Sequence, residues 1–308
     1  MNEVRVLSPA TVANVVCGYD CLGFALAEPN DEMTVRKIDE KGVRIINRDD
    51  FNLPTEPEKN VAGAALLSML EKINADFGFE VEITKHIKPG SGIGSSAASA
   101  GGAVVAANKL LDDRFSIIEL VDFALDGEKV ASGERHADNV APCIFGGFTL
   151  VRSLNPIDIV ALRFPPMFVT VIHPQIEIKT SEARKMLPRE VPLKDAIRQW
   201  SNVGALVAAL SKGDYALVSR SLEDFLIEPV RKVLIPKFDE IKVQSKLAGA
   251  LGGGISGSGP SIFMLSETEA AARKVETAMK EIYGQTQIDF NIYVSKINAD
   301  GVKFIMSS

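Results

Sequence analysis

The stretch Pro89-Gly90-Ser91-Gly92-Ile93-Gly94-Ser95-Ser96-Ala97-Ala98-Ser99 carries three glycines at alternate positions, followed by two serines and a run of small residues. A loop that has almost no side chains lets backbone N–H groups contact an anion directly. The positive end of a helix that follows the loop strengthens this attraction. The stretch therefore predicts a phosphate-binding loop that leads into a helix over 95–111.

The residues on either side of the loop support this interpretation. Before the loop, Phe79, Val81, Ile83 and Ile87 alternate with polar residues, which predicts a half-buried strand. After the loop, residues 95–111 are rich in alanine and glycine on every face, which predicts a closely packed, buried helix. The glycines alone would also suit an ordinary turn between a strand and a helix.

Two common phosphate loops fit this stretch poorly. A Walker loop carries a lysine after its last glycine, whereas serines follow Gly94. A dinucleotide-binding fingerprint can be drawn through Gly92, Gly94 and Ala97, but it requires a continuous apolar parallel strand and an acidic residue that ends a second strand. Asp112 and Asp113 lie at about the required distance, but they close the predicted helix. A dinucleotide-binding oxidoreductase is therefore the weaker alternative.

The composition is that of a globular protein with two lobes. The chain has 308 residues, of which 46% are hydrophobic and 24% are charged. With 34 basic and 40 acidic residues the net charge is −6, and no basic run occurs, so nucleic acid and anionic membranes are not expected partners.

The sequence also predicts a cytoplasmic protein. No apolar stretch approaches the ~20 residues of a membrane helix, and Arg5 and Ser8 stand where a signal peptide has its apolar core. Three cysteines in a long chain fit a reducing compartment. Cys17 and Cys21 lack the partners of a zinc site, so packing is the expected role of both.

The glycine loop resembles the nucleotide motif of the GHMP kinases, Pro-x-x-x-Gly-Leu-Gly-Ser-Ser-Ala-Ala, with Ile93 in place of leucine. The resemblance implies ATP as the phosphoryl donor and places its adenine near Asn60, although helix capping would explain Asn60 equally well. The implied nucleotide-binding residues are Asn60, Pro89, Gly90, Ser91, Gly92, Ile93, Gly94, Ser95, Ser96 and Ala97.

Residues 9–26 resemble the branch of this family that phosphorylates the amino acid L-homoserine. The pattern Pro-x-Thr-x-Ala-Asn-Leu-Gly-Pro-Gly-Phe-Asp-x-Leu-Gly matches with departures at Val16, Cys17 and Tyr19, where glycine, proline and phenylalanine are usual. The resemblance implies that Asn14 and Asp20 contact the amino acid. A carboxylate at Asp20 would suit an ammonium group. A turn in which both side chains bond their own backbone is the alternative.

The segment 136–142 resembles the family's substrate signature, His-x-Asp-Asn-Val-Ala-Pro. This match implies that His136, Asp138 and Asn139 contact the substrate and that Asp138 accepts a hydrogen bond from the hydroxyl being phosphorylated. The transition state of phosphoryl transfer requires little deprotonation of the attacking hydroxyl. Asp138 is therefore expected mainly to orient this hydroxyl, and its role as a general base stays open. Helix capping by Asp138 or Asn139 is the structural alternative.

Phosphoryl transfer also requires a metal ion held by hard oxygen ligands. Ser96 and Glu128 align with the magnesium-binding residues of the GHMP kinases, so the resemblance implies Mg²⁺ at this pair. Glu128 follows Gly127 and would otherwise be a solvated glutamate at a helix end. Glu134 is the second choice of carboxylate.

Two arginines are implied to hold the carboxylate of the amino acid. Arg184 and Arg231 resemble the family's carboxylate-binding arginines, and a guanidinium binds a carboxylate through two hydrogen bonds. Thr180 is expected to add a hydroxyl at the same site. Taken alone, each arginine would fit a solvated surface charge better than a ligand. The segment 249–261 matches the third family motif, Gly-x-x-Ser-Gly-Ser-Gly-Pro, which is expected to close the site beside the first loop.

The resemblance implies an α+β, two-lobed fold. Residues 1–156 are expected to form a nucleotide-binding lobe like domain 2 of ribosomal protein S5, and residues 157–308 a ferredoxin-like lobe. Within the first lobe, the pattern predicts a strand that Pro9 stops and a surface hairpin over 33–53. The implied activity is ATP-dependent phosphorylation of homoserine. Alternatives are another small-molecule kinase of the mevalonate type and a non-catalytic nucleotide or amino acid sensor, and the resemblance leaves room for a homodimer.

Overall fold

Seven strands form the first sheet in the part of the chain that the computed structural model describes, residues 2–178 and 180–305 without the side chains of 132 and 180–182. The strands are β1 (Glu3–Ala13), β2 (Leu22–Ile38), β3 (Gly42–Asn47), β4 (Gly78–Thr84), β5 (Phe148–Leu154), β6 (Ile157–Leu162) and β11 (Lys303–Phe304). The main order is β11-β1-β2-β4-β3, while β5 pairs with the start of β2 and with β6. Strand pairs are antiparallel except β3 with β4.

Two local predictions in this sheet are wrong. Strand β1 continues through Pro9 to Ala13, because a register shift lies between Pro9 and Thr11 and proline is tolerated at such an irregularity. The predicted hairpin over 33–53 does not form, because β4 lies between β2 and β3 in the sheet. The antiparallel pairing of β4 with β2 also removes the doubly wound parallel sheet that a dinucleotide-binding fold requires.

Four helices pack with the first sheet: α1 (Val61–Lys72), α2 (Ser95–Leu110), α3 (Ile117–Ser132) and α4 (Ala137–Phe145). Helix α1 is capped by Asn60, and α3 begins with the predicted capping box of Ser116 and Glu119. Helix α2 is buried along most of its length, as predicted, and contacts α1, α3 and α4. Its glycines permit this approach, since a Cβ at Gly101 would lie 2.8 Å from the Sγ of Cys143.

The second sheet has the ferredoxin-like arrangement that the family resemblance implies. Strands β7 (Phe168–Pro174), β8 (Gly252–Ile255), β9 (Ile262–Ser266) and β10 (Phe290–Lys296) are antiparallel in the order β10-β7-β9-β8. With α9 (Phe238–Leu247) after β7 and α10 (Glu269–Tyr283) after β9, the chain follows a βαββαβ path. The helices α5 (Thr180–Lys185), α6 (Leu193–Lys212), α7 (Tyr215–Ser221) and α8 (Glu228–Arg231) are inserted before α9.

The two lobes share a buried junction. The ring of Phe24 from β2 lies 4.8 Å from that of Phe148 and 5.6 Å from that of Phe263, which belongs to the second sheet. The division at residue 156 stays a prediction. Strand pairing joins β6 and β11, both beyond that residue, to the first sheet.

Candidate active site

A cleft of about 340 Å³ is lined by residues from both lobes. Most of the residues that the sequence singles out lie along it: Asn14, Asp20, Asn60, Pro89, Gly90, Gly92, Gly94, Ser95, Ser96, Glu128, His136, Asp138, Asn139, Arg184 and Arg231. Ser91, Ile93 and Ala97 are buried behind this lining. Thr180 belongs to α5, but its side chain is outside the described residues.

The glycine loop requires glycine at the positions where it turns. Gly90, Gly92 and Gly94 have φ angles of +73°, +81° and +69°, a region that side chains rarely adopt. A Cβ at Gly94 would lie 2.0 Å from Thr11 Oγ1, and one at Gly92 would lie 2.6 Å from the carbonyl oxygen of Gly259. A Cβ at Gly90 would meet nothing within 4 Å, so the backbone there is open to a ligand.

The carbonyl groups of the loop are held by neighbouring segments. Ser256 Oγ donates to the oxygen of Gly92 at 2.7 Å, and Ser261 Oγ donates to that of Ser91 at 2.6 Å. The N–H group of Thr11 donates to the oxygen of Ile93 at 3.1 Å. These bonds occupy acceptors of the loop, so its N–H groups and the first turn of α2 are the groups suited to an anion.

Asn139 connects α4 to the same loop. Its Oδ1 accepts a hydrogen bond from Thr11 Oγ1 at 2.7 Å and would lie 3.0 Å from a Cβ at Gly94. The predicted contact of Asn139 with the substrate stays a prediction, and this hydrogen bond gives the residue a second role beside the loop.

A buried ion pair behind the loop is absent from the sequence-based prediction. Lys85 Nζ pairs with the carboxylate of Asp31, and it also donates to the Ser95 carbonyl at 3.1 Å and to Ser99 Oγ at 2.9 Å. The other carboxylate oxygen of Asp31 accepts the N–H groups of residues 86 and 87. The pair therefore ties the end of β4 to the start of α2. Its signal in the sequence is a single lysine after an apolar strand, and only the fold supplies the partner.

Apolar side chains line the same cleft as Asn60. They belong to Leu53, Val61, Ile83 and Ala131. Asn60 itself acts as the helix cap, because its Oδ1 accepts from the N–H groups of residues 62 and 63 and its Nδ2 donates to the carbonyl of residue 54. The capping explanation is therefore confirmed, while an adenine contact stays a prediction.

Two carboxylates are buried in the middle of the cleft. Glu128 is 9% exposed and accepts a hydrogen bond from Ser96 Oγ at 3.0 Å. It lies inside α3, so the alternative of a solvated helix end is wrong. Burial raises the pKa of Glu128 to about 7, against the opposing effect of the Ser96 hydrogen bond. Burial, followed by the charges of Asp20 and Glu128, raises the pKa of Asp138 to about 7.

Ser96 and Glu128 fit a magnesium ion that is shared with a polyphosphate. A hydroxyl and a carboxylate are hard oxygen ligands, and a nearby cation would offset the cost of burying the Glu128 charge. No group of three or more histidine, cysteine or acidic residues in the described part of the chain forms a metal site by itself. Phosphate oxygens and water would therefore supply the remaining ligands. Glu134, the second choice of carboxylate, pairs with His136 and Arg184, whereas Glu128 is the carboxylate that bonds Ser96.

The opposite end of the cleft is charged. Arg184 Nη2 donates to the two carboxylate oxygens of Asp20 at 3.1 and 3.2 Å, and it lies 3.2 Å from Nε2 of His136. Glu134 Oε2 lies 3.5 Å from Nη1 of the same guanidinium. Burial and then the Arg184 charge lower the pKa of His136, against the charges of Asp20 and Glu134, so the imidazole is neutral at pH 7. Its Nε2 faces both Arg184 Nη2 and Glu134 Oε2, and the tautomer decides whether it accepts from the first or donates to the second.

Arg231 is 4% exposed and has neutral partners. Its Nε donates to the Ala183 carbonyl at 3.3 Å, Nη1 to the Gly257 carbonyl at 3.4 Å, and Nη2 to the Tyr19 hydroxyl at 3.3 Å. The centre of the Tyr19 ring lies 5.1 Å from Cζ of Arg231 and 5.9 Å from Cζ of Arg184. Both arginines therefore line the cleft, and the alternative of two solvated surface charges is wrong.

Asn14 holds the loop that carries Asp20. Its Oδ1 accepts the N–H group of Asp20 at 2.9 Å, and its Nδ2 donates to the Gly257 carbonyl at 2.8 Å. The alternative of a local turn is thus correct for Asn14, although both residues also line the cleft. Their φ angles of +73° and +57° show a backbone that is bent to present them.

These groups together suit the transfer of a phosphoryl group. The glycine loop can hold a polyphosphate, Ser96 and Glu128 can hold its metal ion, and the charged end can hold a zwitterion. Asp138 lines the same cleft and can accept a hydrogen bond from a reacting hydroxyl.

Comparisons with known proteins agree with this arrangement. The family model described as GHMP kinases N terminal domain matches residues 60–147, and the model described as GHMP kinases C terminal matches residues 206–285. The homoserine kinase of Chloroherpeton thalassium is 42% identical over 99% of this chain and 100% of its own length. The homoserine kinase of Pyrococcus abyssi is 38% identical over 95% of this chain and 96% of its own.

Solved structures show the same likeness. The crystal structure of homoserine kinase from Cytophaga hutchinsonii superposes with a TM-score of 0.95 at 48% identity, covering 99% of this chain and 98% of that one. The mevalonate kinase of L. major, solved with R-mevalonate, superposes with a TM-score of 0.71 at 17% identity over 95% of both chains, and this likeness concerns the fold alone.

Proposed function

Since the chain belongs to the homoserine kinases within the GHMP kinase family, we propose that it transfers the terminal phosphoryl group of ATP to the side-chain hydroxyl of L-homoserine. The products are ADP and O-phospho-L-homoserine, an intermediate on the way to threonine. Relatives named homoserine kinase match over nearly the full length of the chain, which supports this substrate.

The nucleotide lies along the glycine loop in this proposal. Backbone N–H groups of residues 90–97 and the first turn of α2 bind the phosphates, because neighbouring hydroxyl and N–H groups occupy the loop's carbonyls. The apolar side chains near Asn60 surround the adenine. Ser96 and Glu128 would hold Mg²⁺, which would offset the charge of the terminal phosphates.

The amino acid lies at the charged end of the cleft. Arg184 and Arg231 bind its carboxylate, and Asp20 binds its ammonium group. Asn14, His136, Asn139 and Thr180 complete the proposed substrate set. The observation that carries the proposal is the presence of two guanidinium groups and the Asp20 carboxylate in one cleft with the glycine loop.

Asp138 orients the hydroxyl of homoserine for in-line attack. It accepts the hydrogen bond of that hydroxyl and receives its proton as the new P–O bond forms and the bond to the ADP oxygen breaks. A carboxylate with a pKa of about 7 is matched to this exchange near neutral pH. Because a loose transition state needs little negative charge on the attacking oxygen, we expect orientation to contribute more than proton removal.

A panel of acceptors tests the proposal. ADP release is measured with homoserine, mevalonate, galactose, threonine and serine, each at saturating ATP and magnesium. We expect turnover of homoserine well above the others. Mevalonate has a carboxylate but no ammonium group, so turnover of mevalonate without homoserine would replace the proposal by the mevalonate-type alternative. Nucleotide binding without turnover of any acceptor would indicate a sensor.

We also propose a cytoplasmic location, while a homodimer stays an expectation from the family resemblance. No helix within the described ranges has both the length and the apolar character needed to cross a membrane. Cys17, Cys21 and Cys143 are unpaired thiols, which suits a reducing compartment. Fractionation of cells and light scattering of the purified protein test these two points.

A further inference from the structure

Tyr19 forms part of the wall behind the charged end of the cleft. On one side it lines the main cleft, and on the other it lines a small cavity of about 20 Å³ that also contacts Asp224 and Glu228. Arg231 lines both spaces as well. Tyr19 and Arg231 therefore both border the proposed substrate site on one side and the cavity that contains the two acidic residues on the other.

The hydrogen bonds of Arg231 define how it can receive a carboxylate. A guanidinium has five N–H groups, and three of them are directed at the Ala183 carbonyl, the Gly257 carbonyl and the Tyr19 hydroxyl. Among the residues whose side chains are described, no partner takes the remaining N–H group on each terminal nitrogen. This pair is the set that a carboxylate needs for two parallel hydrogen bonds.

The hydrogen-bond partners of Arg231 are uncharged, so they do not neutralise its guanidinium. Among the described residues, no carboxylate lies within 4.0 Å of its guanidinium, whereas Arg184 pairs with Asp20 and Glu134. Burial and the Asp20 charge raise the pKa of Tyr19, so its partner is a neutral phenol at pH 7. A neutral acceptor fixes the guanidinium without neutralising it.

We propose that Tyr19 is a positioning residue that determines recognition of the substrate carboxylate, because its hydroxyl fixes Nη2 of Arg231 and its ring packs near the guanidinium groups of both arginines. This inference rests on the proposed function and adds a residue to it. Tyr19 acts through Arg231, so its contribution belongs to binding of the amino acid and not to the phosphoryl transfer step.

The test compares Tyr19→Phe with Tyr215→Phe. Both substitutions remove one hydroxyl, and that of Tyr215 donates to the Pro166 carbonyl away from the cleft. Because a hydrogen bond to a charged group contributes roughly 1.5 kcal/mol or more, Tyr19→Phe is expected to raise the homoserine KM about tenfold. The kcat and the KM for ATP stay within error of wild type, and the melting temperature falls by only a few degrees, as expected for the loss of one hydrogen bond that is present in the free protein. Tyr215→Phe leaves both KM values unchanged.

Two further arms separate this role from a structural one. With 3-amino-1-propanol, which is homoserine without its carboxylate, Tyr19→Phe is expected to change kcat/KM less than twofold. In an Arg231→Lys background the Tyr19→Phe effect on homoserine KM is expected to shrink to the same level, since the fork that Tyr19 positions is gone.

Different experimental results would overturn the role of Tyr19 and the proposed homoserine kinase activity. An unchanged homoserine KM in Tyr19→Phe, while wild type turns over homoserine, overturns the inference alone. An equal rise in the KM values for ATP and homoserine, or an effect that persists with 3-amino-1-propanol, also overturns it. Absence of homoserine turnover by wild type overturns the proposed function first.

Discussion

The two ends of the cleft are built by different means. The phosphate end is one continuous segment, residues 89–97, whose backbone is shaped by glycines and held mainly by hydroxyl and N–H donors, with one further bond from Lys85 Nζ. The charged end consists of single side chains from distant segments, among them Asp20, His136, Arg184 and Arg231. Backbone geometry should therefore control the nucleotide, and charge should control the amino acid. Substitutions at each end test this division.

The largest effect is expected from a methyl group in the loop. Gly94→Ala places a Cβ 2.0 Å from Thr11 Oγ1 at a φ of +69°. Gly213→Ala is the matched control, because its φ is also +69° but its nearest neighbour would lie at 3.8 Å. We expect Gly213→Ala to cost about 1 kcal/mol of folding free energy, and Gly94→Ala about 3 kcal/mol or more.

Activity separates these two glycines further. The kcat/KM for ATP should fall more than about 100-fold in Gly94→Ala, since misplaced backbone donors lose the phosphates. Gly213→Ala should retain the wild-type value. Denaturant unfolding and steady-state kinetics measure both quantities, and equal losses in the two variants would contradict a loop defined by its backbone.

Loss of the proposed metal ligand should come next. Glu128→Ala is expected to lower kcat about 100-fold, with a smaller change in the homoserine KM, because it removes stabilisation of the transferring phosphoryl group. Higher magnesium concentrations should restore part of the rate. Glu134→Ala is the comparison, since that carboxylate lies beside His136 and not beside Ser96. A greater loss of kcat in Glu134→Ala would reassign the ligand.

At the charged end, the two arginines should differ in size of effect. Arg231→Ala is expected to raise the homoserine KM about 100-fold, because a buried guanidinium that forms no ion pair within 4.0 Å among the described residues interacts strongly with a carboxylate. Arg184→Ala should raise it about tenfold, since Arg184 already pairs with Asp20 and is one-third exposed. The KM for ATP should stay near wild type in both variants. A larger KM increase in Arg184→Ala than in Arg231→Ala would show that ion pairing in the free protein does not determine how much each arginine contributes to homoserine binding.

The smallest effects concern pH. Activity requires ionised Asp138, so kcat/KM for homoserine should rise with pH through about 7. Asp20→Asn should move this rise to lower pH, because the Asp20 charge is one cause of the raised pKa. A rise that ends below pH 5 in wild type would remove Asp138 as its source.

Stability should change with pH in the opposite direction. A buried carboxyl with a raised pKa holds its proton in the folded state, so its contribution is present below the unfolded pKa and is lost as pH rises through about 7. Asp138→Asn should therefore raise the melting temperature at pH 8 by a few degrees while lowering kcat, and it should have little effect on stability at pH 4. Calorimetry at the two pH values measures the difference.

Sequence patterns predict the elements whose causes are local. The cap at Asn60 and the capping box at Ser116 depend on neighbours a few residues away, and the glycine loop and helix α2 are indicated by the composition of their own residues. The strand through Pro9 is mispredicted, because only the register of β1 against β2 shows that proline is tolerated there. The false hairpin over 33–53 has the same cause, since β4 enters between β2 and β3 from later in the chain.

The site follows the same rule. Motif resemblance identifies residues that meet in the cleft, but it misses Lys85, whose role depends on Asp31 of another strand, and it treats Tyr19 only as a departure from the pattern. Both residues act through partners more than 50 positions away. A sequence pattern has no access to such pairs until the chain folds.

The hydroxyl groups of Ser256 and Ser261 donate hydrogen bonds to the glycine loop, so the loop does not form an independent structural unit. The nucleotide motif lies in the first half of the chain, but its shape is completed by a turn from the second half. An isolated fragment that contains the motif would lack these two hydrogen bonds. Grafting the motif onto another scaffold is therefore expected to transfer its sequence but not its nucleotide binding. ATP affinity in this protein is thus a readout of whether both halves have assembled.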